Sequence, residues 1–134
     1  MTELERHVRK HVSTNVFMVH NHIEVESVEP DHAVFRLKMC PESTNSYGML
    51  HGGAAYTLAN MATGIAAYTD GRSYVTQNGS LHFVAAQMKG IVRADARVRH
   101  RGRSVVVVSV DILGEERKLL ATGEFAFFCI DNKR

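Results

Sequence analysis

Residues 43–69 read Ser-Thr-Asn-Ser-Tyr-Gly-Met-Leu-His-Gly-Gly-Ala-Ala-Tyr-Thr-Leu-Ala-Asn-Met-Ala-Thr-Gly-Ile-Ala-Ala-Tyr-Thr, and not one of them is Asp, Glu, Lys or Arg. The stretch opens as a polar, glycine-containing loop and becomes alanine-rich from Ala54 to Tyr68. Alanine is the strongest helix former and Asp70-Gly71 supplies a stop, so the run is predicted to be a helix. Leu58, Met61, Ile65 and Tyr68 form an apolar stripe at helical spacing. Gly53, Thr57, Asn60, Gly64 and Ala67 form a second stripe, small and mildly polar. A helix without charge on any side has to be enclosed. So much Ala, Gly, Thr and Asn makes a poor membrane span, and the segment is predicted to be the buried central helix of a domain.

Strand signals flank this helix. Ile23–Val28 and Ala33–Met39 precede it; in the second, Ala33, Phe35, Leu37 and Met39 share one face while Arg36 and Lys38 point away. Glu29-Pro30-Asp31-His32 between them is turn chemistry, which predicts a hairpin. After the helix, Ser73–Val84 is a long strand candidate. Val92, Ala94, Ala96 and Val98 then alternate with Arg93, Asp95, Arg97 and Arg99, the pattern of a half-buried strand. Arg101-Gly102-Arg103 turns the chain into the valine-rich Ser104–Leu113, Gly114–Arg117 turns it again, and Lys118–Ile130 closes the series. The order is two strands, a helix and four strands. One antiparallel sheet wrapped around the apolar helix is the economical way to bury it, which gives an α+β domain. Residues 1–134 are read as a single domain. Residues 1–15, with alternating charge and few apolar positions, are read as an N-terminal surface helix.

A chain of 134 residues can bury a real core. Its formal charge of +2 is too small to argue for nucleic acid, and no interleaved aromatics accompany the basic cluster between Arg93 and Arg103. Cys40 and Cys129 match no metal-ligand spacing and read as buried free thiols. Residues 1–10 are charged and lack the apolar stretch of a signal peptide. No run of large apolar residues is long enough to cross a bilayer. The expectation is a cytoplasmic protein with no metal, no membrane and no nucleic-acid partner.

Three signals occur in order: N-x-x-G-x-x-H-G-G at Asn45–Gly53, a polar residue (Asn60) seven positions after the last Gly on an apolar helix, and His100-Arg101-Gly102-Arg103 before the valine-rich strand. With this element order the chain resembles the hotdog superfamily, specifically the acyl-CoA thioesterases of its phenylacetate-degradation (PaaI-like) branch, over nearly all of its length. The resemblance implies a hotdog fold and hydrolysis of an aryl- or fatty-acyl-CoA thioester to free acid and CoA. It implies no cofactor, because coenzyme A is part of the substrate. It also implies assembly into a homodimer at minimum, with a homotetramer expected. Two sheets become continuous and each site spans the dimer interface, Asn45 and Gly52 coming from one subunit and Asn60 and Thr76 from the other.

Each motif residue has a functional reading and a plainer one. Gly52 and Gly53 stand where the loop enters the helix, where free N–H groups and the helix dipole suit a developing oxyanion. By resemblance the oxyanion-hole N–H belongs to Gly52; the plainer reading is that both glycines only permit a tight turn. Asn45 by resemblance stands beside the thioester carbonyl or orients the loop, and Asn in a loop also makes Asx-turns. His51 invites a general-base reading, whereas the resemblance gives it a structural role, its ring holding the loop. Thr76 matches the position where Ser or Thr holds the attacking water. It shares strand parity with Asn78, Ser80 and His82, and His82 is the ionisable group on that face that could replace a carboxylate. Arg99, Arg101 and Arg103 crowd a strand end, where similar proteins bind the phosphates of CoA; a solvated charged hairpin is the alternative.

At Asn60 the chain departs from the family pattern, which places Asp or Glu there as general base or nucleophile. An amide donates and accepts hydrogen bonds but has no usable basicity. Three readings stay open: an engineered Asp→Asn change that traps substrate, a slow or divergent thioesterase, or a non-catalytic acyl-CoA-binding protein. A hotdog dehydratase would need a His–Asp or His–Glu arrangement that the sequence does not offer.

Overall fold

A computed structural model describes residues 1–131. Two helices, α1 (Glu3–Ser13) and α2 (Val16–His20), precede strands β1 (Ile23–Glu29) and β2 (His32–Lys38). The helix α3 (Gly52–Tyr68) follows, then β3 (Tyr74–Phe83), β4 (Ile91–Arg101), β5 (Val105–Leu113) and β6 (Leu119–Cys129). The six strands make one antiparallel sheet in the order β1-β2-β4-β5-β6-β3, with α3 packed across its inner face. The β1–β2 hairpin turns on Pro30-Asp31, with Asp31 in the left-handed region at φ 65°. Phe35, Leu37, Val92, Ala94, Ala96, Val106, Val108, Val110, Ile112, Phe125 and Phe127 line the buried side, as the alternation requires.

The N-terminal segment is a capped amphipathic helix. Thr2 Oγ1 accepts from the Glu5 N–H at 3.0 Å, Glu3 and Glu5 occupy the first turn, and Lys10 and His11 the last, in line with the helix dipole. Val8 and Val12 of α1 and Met18 of α2 are buried against the body of the domain.

Several expectations are corrected. The α3 stripe that meets the sheet is Ala55, Leu58, Ala59, Ala62, Ala66 and their neighbours, whereas Met61 and Tyr68 are only half-buried. Alanine lets the helix backbone approach the sheet closely, so small residues displace larger ones from the contact. Nor is α3 enclosed on every side. Gly52, Gly53 and Tyr56 are exposed, and Asn60 and Gly64 half-buried, so an uncharged helix face stays partly uncovered in the single chain. Cys40 and Cys129 are free but half-buried rather than buried.

Two β-bulges change which side chains share a face. In β3, Thr76 pairs with Phe127 and Asn78 with Ala126, with Gln77 left over as the bulge. Thr76 therefore lies on the inner side with Gly79 and Leu81, while Asn78, Ser80 and His82 lie on the outer side, against the parity read from the sequence. In β4 the same device at Arg99 places Arg101 opposite the buried Val106.

Candidate functional site

The loop before α3 is held by its own motif residues. Asn45 Oδ1 accepts from the backbone N–H groups of Tyr47 (2.9 Å) and Met49 (3.0 Å), while the Asn45 N–H donates to the Met49 carbonyl at 2.8 Å. That is an Asx-turn, so Asn45 shapes the loop with its oxygen already engaged. The left-handed residue of the loop is Gly48, at φ 75°, not either glycine of the His-Gly-Gly segment. His51 caps α3: its Nδ1 accepts from the Gly53 N–H at 2.8 Å, and its carbonyl takes the Ala54 and Ala55 N–H groups at 3.0 Å each. Its ring nitrogen at the loop is thus committed to the helix start. These bonds leave the Gly52 N–H as the open donor of the first turn. A Cβ at Gly52 would meet the Phe83 ring at 3.6 Å, an ordinary contact, so glycine is not demanded there by packing or by φ.

Eight residues along α3, Asn60 donates from Nδ2 to Thr76 Oγ1 at 3.0 Å. The bulge at Gln77 is what keeps Thr76 on this side of the sheet. Both side chains line a cleft of about 200 Å³ whose other walls include Met61, Gly64, Tyr68, Tyr74 and Phe127, with His11, Asn15 and Met18 contributed by α1, the α1–α2 junction and α2. The N-terminal residues were not among the sequence candidates; only the buried Val8, Val12 and Met18 stripe could have signalled that this segment packs on the domain. Tyr68 Oη is 2.9 Å from His7 Nε2, and its ring stacks on His7 and His11 with centroids 6.0 and 5.4 Å away. His82 lies on the opposite face of the sheet and takes no part in this cleft.

The arginine cluster divides. Arg101 donates to Asp31 Oδ1 (2.8 Å), Asp70 Oδ2 (2.8 Å) and the carbonyls of Ala66 (3.1 Å) and Ala67 (2.9 Å). Its guanidinium closes the C-terminus of α3, where carbonyls lack helical partners, and it is not free for a phosphate. Arg99 and Arg103 remain exposed. Arg72, which the sequence reading passed over, joins Asp70 at 2.9 Å and bonds the carbonyls of Gly102 and Arg103. Burial pushes the Asp70 carboxyl up, but the Tyr74 hydroxyl, the Arg72 N–H and guanidinium and the Arg101 charge outweigh it, and the group ends below its ordinary value. Tyr74, at the cleft wall, is pushed up to about 12 by burial and by its bond to Asp70.

A further concavity, of about 720 Å³, lies between α1 and the β1–β2 hairpin and contains none of the sequence-derived site residues. His22 and Cys40 line it, and the fold brings Glu42 beside them, a grouping that sequence spacing did not reveal.

The thioesterase superfamily profile matches residues 47–121, from the loop through the last turn. The chain is 33% identical over 102 residues to the 1,4-dihydroxy-2-naphthoyl-CoA hydrolase of Listeria monocytogenes, covering 73% of this chain and 82% of that one. It is 26% identical over 100 residues to the acyl-coenzyme A thioesterase PaaI of Escherichia coli, covering 74% and 71%. Among solved structures, a conserved Pseudomonas aeruginosa protein superposes with a TM-score of 0.86 at 28% identity, covering 91% of this chain and 98% of that one. A Streptococcus pneumoniae thioesterase protein solved with coenzyme A does so at 0.78 and 25%, covering 87% and 99%. The fold, the matched segment and these relatives agree: the chain belongs to the thioesterase superfamily and carries its hotdog fold.

Proposed function

We propose that this protein hydrolyses acyl-CoA thioesters, in a site completed by a second copy of the chain, at a rate limited by Asn60. The observation that carries this reading is the Asn60–Thr76 hydrogen bond at 3.0 Å, which turns both groups into one cleft. In the Streptococcus pneumoniae thioesterase, structures have been solved with an Asp→Ala and with a Thr→Ala substitution, at positions sixteen residues apart. Asn60 and Thr76 have the same separation.

The Gly52 N–H, at the positive end of the α3 dipole, polarises the thioester carbonyl. Thr76 Oγ1 and Asn60 Oδ1 hold a water whose oxygen adds to the carbonyl carbon. The C–S bond then breaks, CoA leaves as thiolate and the free acid forms. The water proton must pass to solvent or to the leaving sulfur, because the amide of Asn60 orients it without accepting it. A rise of 1.5 Å per residue puts Gly52 and Asn60 about 12 Å apart along α3, too far to touch one carbonyl from one chain. This supports a site shared between two subunits.

Assembly is supported by the free edge of β3. Val75, Phe83, Val84 and Phe128 near it are 44–58% exposed, an apolar margin of the kind that a second sheet edge covers. We place Arg99 and Arg103 on the CoA phosphates, and the assembly as a dimer or a dimer of dimers. No helix among the described residues is long and apolar enough to cross a membrane; with two free cysteines, we place the protein in the reducing cytoplasm.

Asn60 itself favours a second reading, a protein that binds acyl-CoA without cleaving it. The experiment is CoA release from a panel of aryl- and fatty-acyl-CoAs by the parent and by Asn60→Asp. A slow parent and an Asp form faster by roughly a hundredfold or more, the gain typical of a positioned base, are expected. Tight acyl-CoA binding with no turnover by either form would establish the binding protein instead.

A further inference from the structure

We propose that His22, Cys40 and Glu42 form a zinc-type metal site that braces the loop leading into α3. His22 Nε2 lies 3.2 Å from Glu42 Oε2, Cys40 Sγ lies 3.5 Å from the same oxygen, and all three ligand atoms fall within 4.8 Å of one another. Zinc bonds of about 2.0–2.3 Å at tetrahedral angles require ligand atoms roughly 3.3–3.7 Å apart, so a small adjustment of three side chains closes the set. Thiolate, imidazole and carboxylate together select a borderline-soft divalent ion over calcium or magnesium. The His22 and Glu42 side chains are 51% and 64% exposed, which leaves water the fourth position.

The ligands come from two separate pieces of chain. His22 sits between α2 and β1 with φ 60°, an uncommon conformation for a residue with a side chain. Cys40-Pro41-Glu42 begins the short turn after β2. Its neighbour Ser43 anchors the site loop, because the Ser43 carbonyl accepts the His51 N–H at 2.8 Å. Thr44 and Leu50 then bridge the two sides of the same loop. A bound ion would thus tie the α2–β1 junction to the turn that positions the cap of α3, in a structural role separate from catalysis. Binding displaces the Cys40 thiol proton, so affinity rises with pH.

The test is titration of the full chain with Co²⁺ in a non-chelating phosphine reductant. One Co²⁺ per chain is expected, with tetrahedral visible bands and thiolate-to-cobalt charge transfer in the near ultraviolet, displaced by Zn²⁺. The charge-transfer absorption should vanish in Cys40→Ser and persist in Cys129→Ser. His22→Ala and Glu42→Gln should weaken binding by at least roughly tenfold, a loss that even outer-shell partners of a metal produce. Zn²⁺ should raise the thermal midpoint of the parent and not that of Cys40→Ser, whose circular dichroism reports that it folds. Cobalt bound without charge transfer, charge transfer that survives Cys40→Ser, or no binding at all would each overturn the proposal.

Discussion

An amide at position 60 and a hydroxyl at position 76 differ from a carboxylate–hydroxyl pair by one capacity, that of taking a proton. Everything else about the pair, its reach across from helix to strand and its place in the cleft, is set by backbone positions that the substitution does not touch. Thr76→Val tests the pair without altering shape. Its hydroxyl holds Asn60, and misplacing a positioning group commonly costs roughly ten- to a hundredfold, so kcat/KM should fall by that factor. Thr76 is exposed, and its stability effect should stay within about 0.5 kcal/mol. Steady-state kinetics beside urea denaturation read both quantities, and unchanged kinetics would remove Thr76 from the site. At this level the sequence was partly legible. The spacing from the last glycine marked Asn60, but the partners of Asn45 and His51 depend on loop geometry that no periodicity encodes.

Helix α3 owes its start to His51 and its end to Arg101. The start was readable as the point, at Gly52 and Gly53, where the polar loop gives way to the alanine run. The place of the end was readable too, from Asp70-Gly71 just beyond Tyr68, but its cap was not, because Arg101 reaches α3 only through the bulge at Arg99, and a one-residue insertion is invisible to an alternating pattern. Arg101→Met should therefore destabilise the domain by about 1.5–3 kcal/mol, from charged hydrogen bonds lost at the α3 carbonyls and at Asp31, while Asp70 keeps Arg72 and Tyr74. Arg99→Ala and Arg103→Ala should leave stability unchanged while raising KM for CoA esters. Urea unfolding at several pH values checks the assignment further. Asp70 is held below its ordinary value, so its contribution is present above the unfolded carboxylate range and lost as pH falls through the lowered folded value. The part of the parent-to-Met difference that runs through Asp70 should shrink across that acid window while the part from the α3 carbonyls persists; a difference that is small at every pH would place the cap elsewhere.

For the whole molecule, the uncharged outer face of α3 and the free edge of β3 raise one question. A helix free of charge is expected to be enclosed, yet one chain leaves Gly52, Gly53 and Tyr56 exposed and Asn60 and Gly64 half-buried. The proposed pairing supplies the remaining cover and brings Gly52 of one copy toward Asn60 of another. Sedimentation should show a dimer or larger at micromolar concentration, with specific activity falling on dilution toward monomer. Asn78→Lys with Ser80→Lys places like charges on the outer face near the centre of the edge strand and should weaken association without unfolding the chain. A monomer with full specific activity would rule out the shared site.

From the sequence by itself came the α+β class, the strand order along the chain, the uncharged helix and the motif from Asn45 to Gly53. Each rests on local propensity or on periodicity, which neighbouring residues determine among themselves. Only the tertiary structure decided that Thr76 and Arg101 face inward, that His82 faces away, that Arg101 serves α3, and that His22 meets Cys40 and Glu42. Those outcomes turn on single-residue bulges and on contacts between segments distant in the chain, where packing, not local pattern, selects the arrangement.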